Sequence, residues 1–397
     1  PGRHRSIQAE GRGLNFSTSL ASNLAVDIGS PMRTFRVNRG SPDVNTGAWA
    51  GFSPIYGQQT LPPWTNSAIL PNQAVEADFA IGSRLREGPR GFQPQPSPSS
   101  AVGIWLAAPK TTDALFLSAS TIRTGLGVHR IIGPRSLTGL VGPDLIRAMG
   151  ATAVRAAALS AAFTLVNRAA LELDIDPDEF DVIEPRLFRR PDGLAVPVLQ
   201  IADHLVNGAG FCARLSQPRG GAREPWIAEI LRSAIRDENE YPLKEFLRHD
   251  HRVNHAHDCT QACYLCLLRY RNQPFHGLLD WRLGLAFLKT LESADYACGL
   301  DGRFDGPELG DWHAHVDIEL EKVRRQFSSA VVRDAGPLKA VRFRDRTAWA
   351  IISHPLWDPE TRAGLLEQAV ADLAAANQPF VVVDSFNLAR RPVTIRE

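Results

Sequence analysis

Short apolar runs separated by turn residues fill the first third of the chain and predict β-strands. The candidate strands are residues 34–38, 51–56, 77–82, 102–106 and 114–117. Residues 88–100 are rich in proline, serine and glycine, a composition that favours extended backbone without a packed core. We therefore expect residues 88–100 to form a loop in a β-rich N-terminal segment.

The hydrophobic period changes near residue 143. From Pro143 to about Leu173, apolar residues recur at three- and four-residue steps, which predicts a long alanine-rich helix that Pro177 ends. The small residues of 207–211 predict a tight strand-to-helix turn. The other elements predicted before the cysteine-rich segment are strands 180–183 and 195–201 and one helix over 225–247.

The C-terminal hundred residues alternate between apolar runs and helical periods. A helix over 280–291 and a Gly- and Asp-rich loop over 297–311 precede the remaining elements: helix 316–327, strands 341–343 and 349–352, helix 359–375 and strand 380–384. This alternation predicts a small parallel or mixed sheet. The fold class is α+β, and we expect three units, at 1–100 (β-rich), 101–298 (metal-binding) and 299–397 (α/β tail).

Composition narrows the function classes. The net charge is +1, so no overall field attracts the chain to nucleic acid, yet only five of the 44 cationic residues are lysines, which leaves 39 arginines. Arginine forks fit phosphates and stack on bases. No apolar run reaches the roughly 18 residues of a membrane span. The chain begins Pro1-Gly2-Arg3 without a methionine or an apolar signal segment, and we expect a piece of a longer protein.

Three of the five cysteines lie within eight positions, at Cys259, Cys263 and Cys266. Five cysteines, an odd number of which three are clustered, argue against a disulfide scaffold and for a reducing cytoplasm. The C-x-x-C spacing of the last pair lets both sulfurs face one point. Zinc prefers four cysteine or histidine ligands in a tetrahedron. These cysteines therefore predict a Zn2+ site, the alternative being three reduced structural cysteines.

Three histidines are candidates for the fourth ligand. His276 is favoured, because a second arm that closes over the knuckle is the common architecture. His257 and His255, just before Cys259, remain alternatives.

A basic and aromatic segment follows the cysteines. Arg269, Tyr270 and Arg271 precede the predicted helix 280–291, which carries Arg282. On a loop fixed by metal, guanidinium and aromatic faces meet phosphates and bases. The four residues are therefore candidates for nucleic-acid binding. The alternative is packing, with Tyr270 in the core and Arg282 paired with a carboxylate.

No Walker-type phosphate loop, DEAD or DEAH box, or hydrolase motif stands in a suitable context. His354 and Asp384 form at best a weak hydrolytic pair, because no nucleophile accompanies them. We therefore assign no catalytic residue. Three hypotheses stay open: a nucleic-acid-handling module, a docking scaffold without DNA contact, and a metal-dependent hydrolase or nuclease.

Separated motifs resemble the MZB-type zinc-binding domain, long catalogued as a domain of unknown function. The resemblance spans roughly residues 30–295. Its most specific part is Cys259-x3-Cys263-x2-Cys266 with Asn272-Gln273, His276 and Leu279-Asp280-Trp281-Arg282. Many members of that family use four cysteines, so a histidine as fourth ligand is a departure.

The resemblance implies an accessory module of a superfamily-two DEAD/DEAH-box helicase. Such domains occur at the C-terminus of these helicases and in bacterial anti-phage systems of the DISARM type. The implied partners are DNA, single-stranded or at a duplex junction, a helicase motor domain or subunit, and methylase or nuclease defence proteins. ATP-driven activity is then expected upstream of this chain or on a partner.

Overall fold

The computed structural model describes residues 23–37, 103–131, 140–189, 195–205 and 207–396, with short strand segments before residue 95. The described strands are β1 (Ser17–Thr18), β2 (Leu24–Val37), β3 (Ile55–Gly57), β4 (Ala68–Asn72), β5 (Leu85–Gly88), β6 (Gly91–Pro94), β7 (Gly103–Ala119), β8 (Phe180–Arg189), β9 (Ala195–Asp203), β10 (Ala330–Ala335), β11 (Leu338–Phe343), β12 (Trp349–Ser353) and β13 (Phe380–Asp384). The described helices are α1 (Gly142–Leu173), α2 (Phe211–Leu215), α3 (Trp226–Arg236), α4 (Leu243–Phe246), α5 (His255–Asp258), α6 (Trp281–Glu292), α7 (Trp312–Gln326), α8 (Gly364–Ala375), α9 (Ser385–Arg390) and α10 (Pro392–Arg396). The fold is α+β, as predicted.

The larger sheet is antiparallel, with strand order β1-β2-β7-β9-β8, and β3 and β4 pair with β2 and β7. The predicted strands 102–106 and 114–117 form one continuous strand, β7. Strand candidate 34–38 overlaps β2, 51–56 overlaps β3, and 77–82 lies outside the described residues. The sheet buries one face under α1.

Helix α1 is the centre of the core. It packs against β8, β9, α3 and, most extensively, α6. Gly284 of α6 allows the close crossing, because a Cβ at that position would lie 2.9 Å from Ser160 of α1. The Ser160 hydroxyl also accepts a hydrogen bond from the Asp280 amide at 2.8 Å. Helix α1 thus fixes the start of α6, next to the cysteines.

Helix α1 also has the length and hydropathy of a membrane span, which the sequence analysis did not expect. In its most apolar 18-residue window, however, 89% of the residues are buried inside the protein. It is the core helix of this fold. It ends at Leu173, where Asp174 is left-handed, so Pro177 follows the end and does not cause it.

The predicted helix 225–247 is wrong as a single element. It is two helices, α3 and α4, separated by residues 237–242. The Asp237 carboxylate accepts from the Asn239 amide at 3.0 Å, which offers the backbone a turn in place of another helical step. Pro242 has no amide hydrogen to continue α3. The break turns the chain toward the cysteine segment.

One further difference and one confirmation concern local structure. Within the predicted loop 88–100, strand β6 pairs with β5 in a hairpin. The turn at 207–211 is confirmed. Asn207, Gly208 and Gly210 have positive φ, and the buried Asp203 carboxylate accepts from the amides of residues 209, 211 and 212.

The C-terminal sheet has the order β10-β11-β12-β13, with β12 and β13 parallel and the other pairs antiparallel. It is therefore mixed, one of the two predicted possibilities. Arg390 of α9 ties this part to the cysteine region, through Asp280 at 3.6 Å and the Gly277 carbonyl at 3.2 Å. The apolar core runs without interruption from β2 to α9.

Candidate metal centre

The cysteine segment lies between the short helix α4 and the start of α6. Helix α5 gives one turn, and Cys259 follows it directly. Residues 263–268 form a tight turn, in which the Cys263 carbonyl accepts from the amides of residues 266, 267 and 268. The Cys263 amide in turn points at the Cys266 sulfur, at 3.0 Å. This is the local geometry of a metal knuckle.

Four side chains converge in this segment: His255, Cys259, Cys263 and Cys266. Their ligand atoms all lie within 4.8 Å of one another. The Cys259 and Cys266 sulfurs are 3.9 Å apart, and the Cys263 sulfur is 3.4 Å from the His255 Nε2. In a tetrahedral site with metal–sulfur bonds of about 2.3 Å and metal–nitrogen bonds of about 2.0 Å, these edges are about 3.8 and 3.5 Å. The four residues therefore fit one metal ion.

The outer contacts of His255 orient it as a ligand. Its Nδ1 lies 3.1 Å from the Phe246 carbonyl, which makes Nδ1 the donor and leaves Nε2 to face the sulfurs. The ring stacks on Phe246 at 6.3 Å and lies 5.8 Å from Trp281. His255 is 1% exposed. A buried ring with a fixed tautomer needs no rearrangement to bind a metal.

The sulfurs are arranged to hold a negative charge. The hydrogen bond from the Cys259 thiol lowers the pKa of Cys266 and raises that of Cys259. Burial alone would lower the pKa of His255, but its hydrogen bond to Cys266 and the charge there raise it. A thiolate at Cys266 is the protonation state that a metal ligand requires.

The expectation of His276 as fourth ligand does not match this geometry. The His276 Nε2 donates to the Asn272 Oδ1 at 2.9 Å and to the Arg269 carbonyl at 3.0 Å. His276 therefore closes the turn after the knuckle. His257 is exposed and pairs with Asp258. Of the three histidines considered from the sequence, only His255 joins the cysteines.

A spacing signal for His255 was present in the sequence. His255, Cys259 and Cys263 are four residues apart, so in helical or turn-like backbone their side chains project to one side. The prediction favoured His276 instead, because a second arm that closes over the knuckle is the common architecture.

Arg282 is a structural residue, which contradicts its assignment to nucleic-acid binding. Its guanidinium is buried and donates to the carbonyls of Ala256 and of Cys259, the latter at 3.1 Å. It also pairs with Asp311 at 3.4 Å. The Trp281 indole donates to the same Cys259 carbonyl at 3.0 Å. These two residues hold the cysteine segment onto α6 and do not face solvent.

The other three candidates lie on the outer face of the knuckle. Arg269 and Arg271 are exposed, and Tyr270 between them is 82% exposed. Tyr264 and Leu265, which separate the ligand cysteines, are 71% and 47% exposed. Tyr264 was not among the residues predicted from the sequence. The available signal was the position of Tyr264 and Leu265 between two ligand cysteines, because the two residues between the ligands of a knuckle cannot both face the metal. We call Tyr264, Leu265, Arg269, Tyr270 and Arg271 the knuckle face.

His354 and Asp384 do not form an open hydrolytic site. Burial lowers the pKa of His354 to about 3, so the ring is neutral. Its Nδ1 faces the Cys298 sulfur at 3.3 Å and accepts from the Leu356 amide at 3.2 Å. The Asp384 carboxylate caps α9 by accepting from the Asn387 amide. Both residues serve the packing of the C-terminal sheet.

Comparison with known proteins gives one similar solved structure and no matching family or curated protein. No protein-family model matches the sequence, and no curated protein matches it. Among solved structures, the chain is similar to one described as "Crystal Structure of DUF1998 helicase MrfA bound to DNA". The match covers 70% of this chain and 25% of that one, with 11% identity and a TM-score of 0.28. The function is therefore inferred from the site.

Proposed function

We propose that this protein is a non-catalytic, zinc-stabilised module that guides a single DNA strand beside a helicase motor. The carrying observation is a Cys3His cluster at tetrahedral spacing whose outer face presents two exposed arginines among exposed tyrosines. Residues 101–298 are the zinc-binding unit in this proposal. Strands β1 to β4 extend its sheet, and the described residues of 299–397 are a tail packed on it.

Zinc is the metal that the donor set favours. Three sulfurs and one imidazole nitrogen in a tetrahedron suit Zn2+ better than Mg2+ or Ca2+, which prefer oxygen ligands. Four protein ligands leave no open position for a water molecule, so the ion is structural. This closed coordination also disfavours the hydrolase alternative. The ion would join α5 to the knuckle and stabilise the segment only when it is folded.

The knuckle face supports DNA binding through its composition and its exposure. Arg269 and Arg271 can pair with phosphates, while Tyr264 and Tyr270 offer aromatic surfaces on which bases stack. Arg271 already pairs with Asp178 at 3.3 Å, but both side chains are about half exposed, so this ion pair contributes little. Tyr264 and Tyr270 also expose apolar surface to water, which a binding function explains.

A salt titration of single-strand binding tests the proposal. The double variant Arg269→Ala/Arg271→Ala removes two phosphate contacts, and the slope of log affinity against log salt should fall by about 1.4. Tyr264→Ala and Tyr270→Ala, as single variants, should each weaken binding by about five- to 160-fold while the slope stays unchanged, because stacking carries no charge.

The matched control is Arg324→Ala/Arg325→Ala on α7, two exposed arginines that pair only with Glu321. This control should keep the wild-type slope. If the α7 variant and the knuckle variant lower the slope equally, binding is diffuse and the assignment to the knuckle face is wrong. If the zinc-loaded protein binds no strand, the docking-scaffold alternative replaces DNA contact.

The proposal also includes a biological setting. A helicase motor on a longer form of this chain or on a partner, and a role in bacterial anti-phage defence, follow from the resemblance of the zinc loop. Co-purification of the natural full-length protein with an ATP-dependent, DNA-stimulated activity tests this setting.

A further inference from the structure

A cleft of about 350 Å³ opens beside the knuckle face, between the turn after Cys266 and the α1–β8 layer. Its floor is apolar and consists of Phe163, Val166, Phe180, Val182 and Phe275. We call it the loop cleft. Pockets for small ligands measure about 300–1,000 Å³, so the loop cleft suits a ligand of the size of one nucleotide.

The floor is built from rings on three separate elements. Phe163 comes from α1, Phe180 from β8 and Phe275 from the turn after the knuckle. The Phe163 and Phe275 rings are tilted against each other with centroids 5.6 Å apart. Phe163 is partly exposed, whereas residues 153–162 and 164–170 on either side of it in α1 are buried. A planar aromatic ligand would meet ring surfaces here, as bases do on aromatic platforms.

The rim of the loop cleft is polar, and its groups are already positioned. Arg271 reaches from the knuckle face to Asp178, and its guanidinium also lies 3.5 Å from the His204 ring. His204 lies 3.2 Å from the Asp181 carboxylate. Each rim carboxylate therefore has a cationic or histidine partner on the cleft wall. Arg269 completes the rim on the side of the knuckle.

We propose that the loop cleft receives one unstacked base of the bound single strand. The inference rests on the proposed function. Arg269 and Arg271 belong both to the knuckle face and to the rim, so a strand whose phosphates they bind has a base within reach of the floor. Tyr270, exposed between them, stacks the neighbouring base. The cleft thereby fixes the register of a strand that is otherwise bound without sequence preference.

A protein side chain is the less suitable occupant. The rim places two arginines beside an apolar floor, and a phosphate next to a planar base matches both at once. A phenylalanine from a partner would fill the floor but would leave Arg269 without an anion unless an acidic residue followed it.

An abasic-site scan tests the inference. A set of single strands just long enough to cover the binding site, each with one abasic sugar at a different position, is titrated against the zinc-loaded wild type and against Tyr264→Ala/Tyr270→Ala. Positions that stack on the two tyrosines lose their effect in this double variant, and one position, the base in the cleft, should still weaken binding at least about fivefold. The variant Val182→Phe, whose added ring would occupy the cleft, should bind the intact strand as weakly as that abasic strand.

The controls separate the cleft from the knuckle face. Val331→Phe enlarges a residue on β10 that is 37% exposed, and it should bind as the wild type does. Arg269→Ala/Arg271→Ala should weaken binding of the intact and abasic strands alike. The scan in Tyr264→Ala/Tyr270→Ala does not depend on Val182→Phe, so it decides the question even if Val182→Phe fails to fold.

Three results overturn the inference, and they are distinguishable. If all abasic strands bind Tyr264→Ala/Tyr270→Ala like the intact one, no base enters the cleft, while the proposed function stands. If no strand binds, the proposed function itself fails. The third result concerns an acidic, phenylalanine-containing peptide as the occupant of the cleft. If such a peptide binds in the cleft beside Val182 and the single strand does not displace it, the cleft is assigned to a protein partner.

Discussion

Replacing Arg282 distinguishes its structural role from the DNA contact that the sequence suggests. In Arg282→Met the guanidinium, which lies over the Trp281 ring at 4.2 Å from its centroid, is lost together with its hydrogen bonds to the Ala256 and Cys259 carbonyls. Each such bond from a charged donor contributes about 1.5–3 kcal/mol. The ion pair with the exposed carboxylate of Asp311 adds at most about 1 kcal/mol.

The stabilisation by the hydrogen bonds and the ion pair of Arg282 is partly offset by the cost of burying its charged guanidinium. Burial lowers the pKa of Arg282, which shows that the fold disfavours its charged form, and methionine avoids that cost. We therefore expect the free energy of unfolding to fall by about 2–4 kcal/mol. Because the Cys259 carbonyl belongs to a ligand residue, metal affinity should also fall by about 10- to 100-fold.

Urea unfolding of the zinc-loaded protein and competition with a chromophoric chelator measure the two effects. The matched control is Arg325→Met, an exposed arginine on α7 that should change stability by no more than about 0.5 kcal/mol. The reasoning is refuted if Arg282→Met behaves like this control in both assays. It is also refuted if Arg282→Met changes only the salt slope of DNA binding.

Three further predictions concern the packing and the metal. Gly284→Ala should destabilise the protein by about 1–3 kcal/mol in urea unfolding, because the new Cβ would lie 2.9 Å from Ser160; a neutral result would contradict the close α1–α6 crossing. Tyr241→Phe removes the hydroxyl that donates to the Cys266 carbonyl at 3.2 Å and accepts from Asn167, and it should cost about 1–2 kcal/mol in the same assay, whereas an unchanged midpoint would make that bridge irrelevant. Acidification should release the metal, since protons compete for the sulfurs, and retention of the full metal content at pH values where thiolates are protonated would argue against cysteine ligation.

The sequence predicts those parts of the protein that depend on local periodicity. Helix α6 begins where Asp280 caps it, with its carboxylate accepting from the Leu283 amide at 3.2 Å, and the alanines of α1 mark a closely packed core helix. The mixed C-terminal sheet also follows from short apolar runs. For the α6 cap the decisive interaction lies within a few residues of the signal, whereas the parallel pairing of β12 with β13 joins distant residues such as Trp349 and Phe380.

The sequence fails where the third dimension decides between equivalent residues. Three histidines flank the cysteines, and spacing alone does not show that His276 is needed to close a turn with Asn272. Arg282 resembles its neighbours Arg269 and Arg271 in the sequence, but α6 directs it inward to two carbonyls. The loop cleft joins α1 and β8 to the knuckle turn, which lies about a hundred residues further along the chain, and no local pattern reports it.

The central claim is that His255 and the three clustered cysteines bind one zinc ion, and X-ray absorption at the zinc edge measures this coordination most directly. We predict one zinc per chain with three sulfurs at about 2.3 Å and one nitrogen at about 2.0 Å. His255→Ala should remove the nitrogen, and His276→Ala should leave the spectrum unchanged. A spectrum that loses its nitrogen only in His276→Ala, or a purified protein without stoichiometric metal, would contradict it.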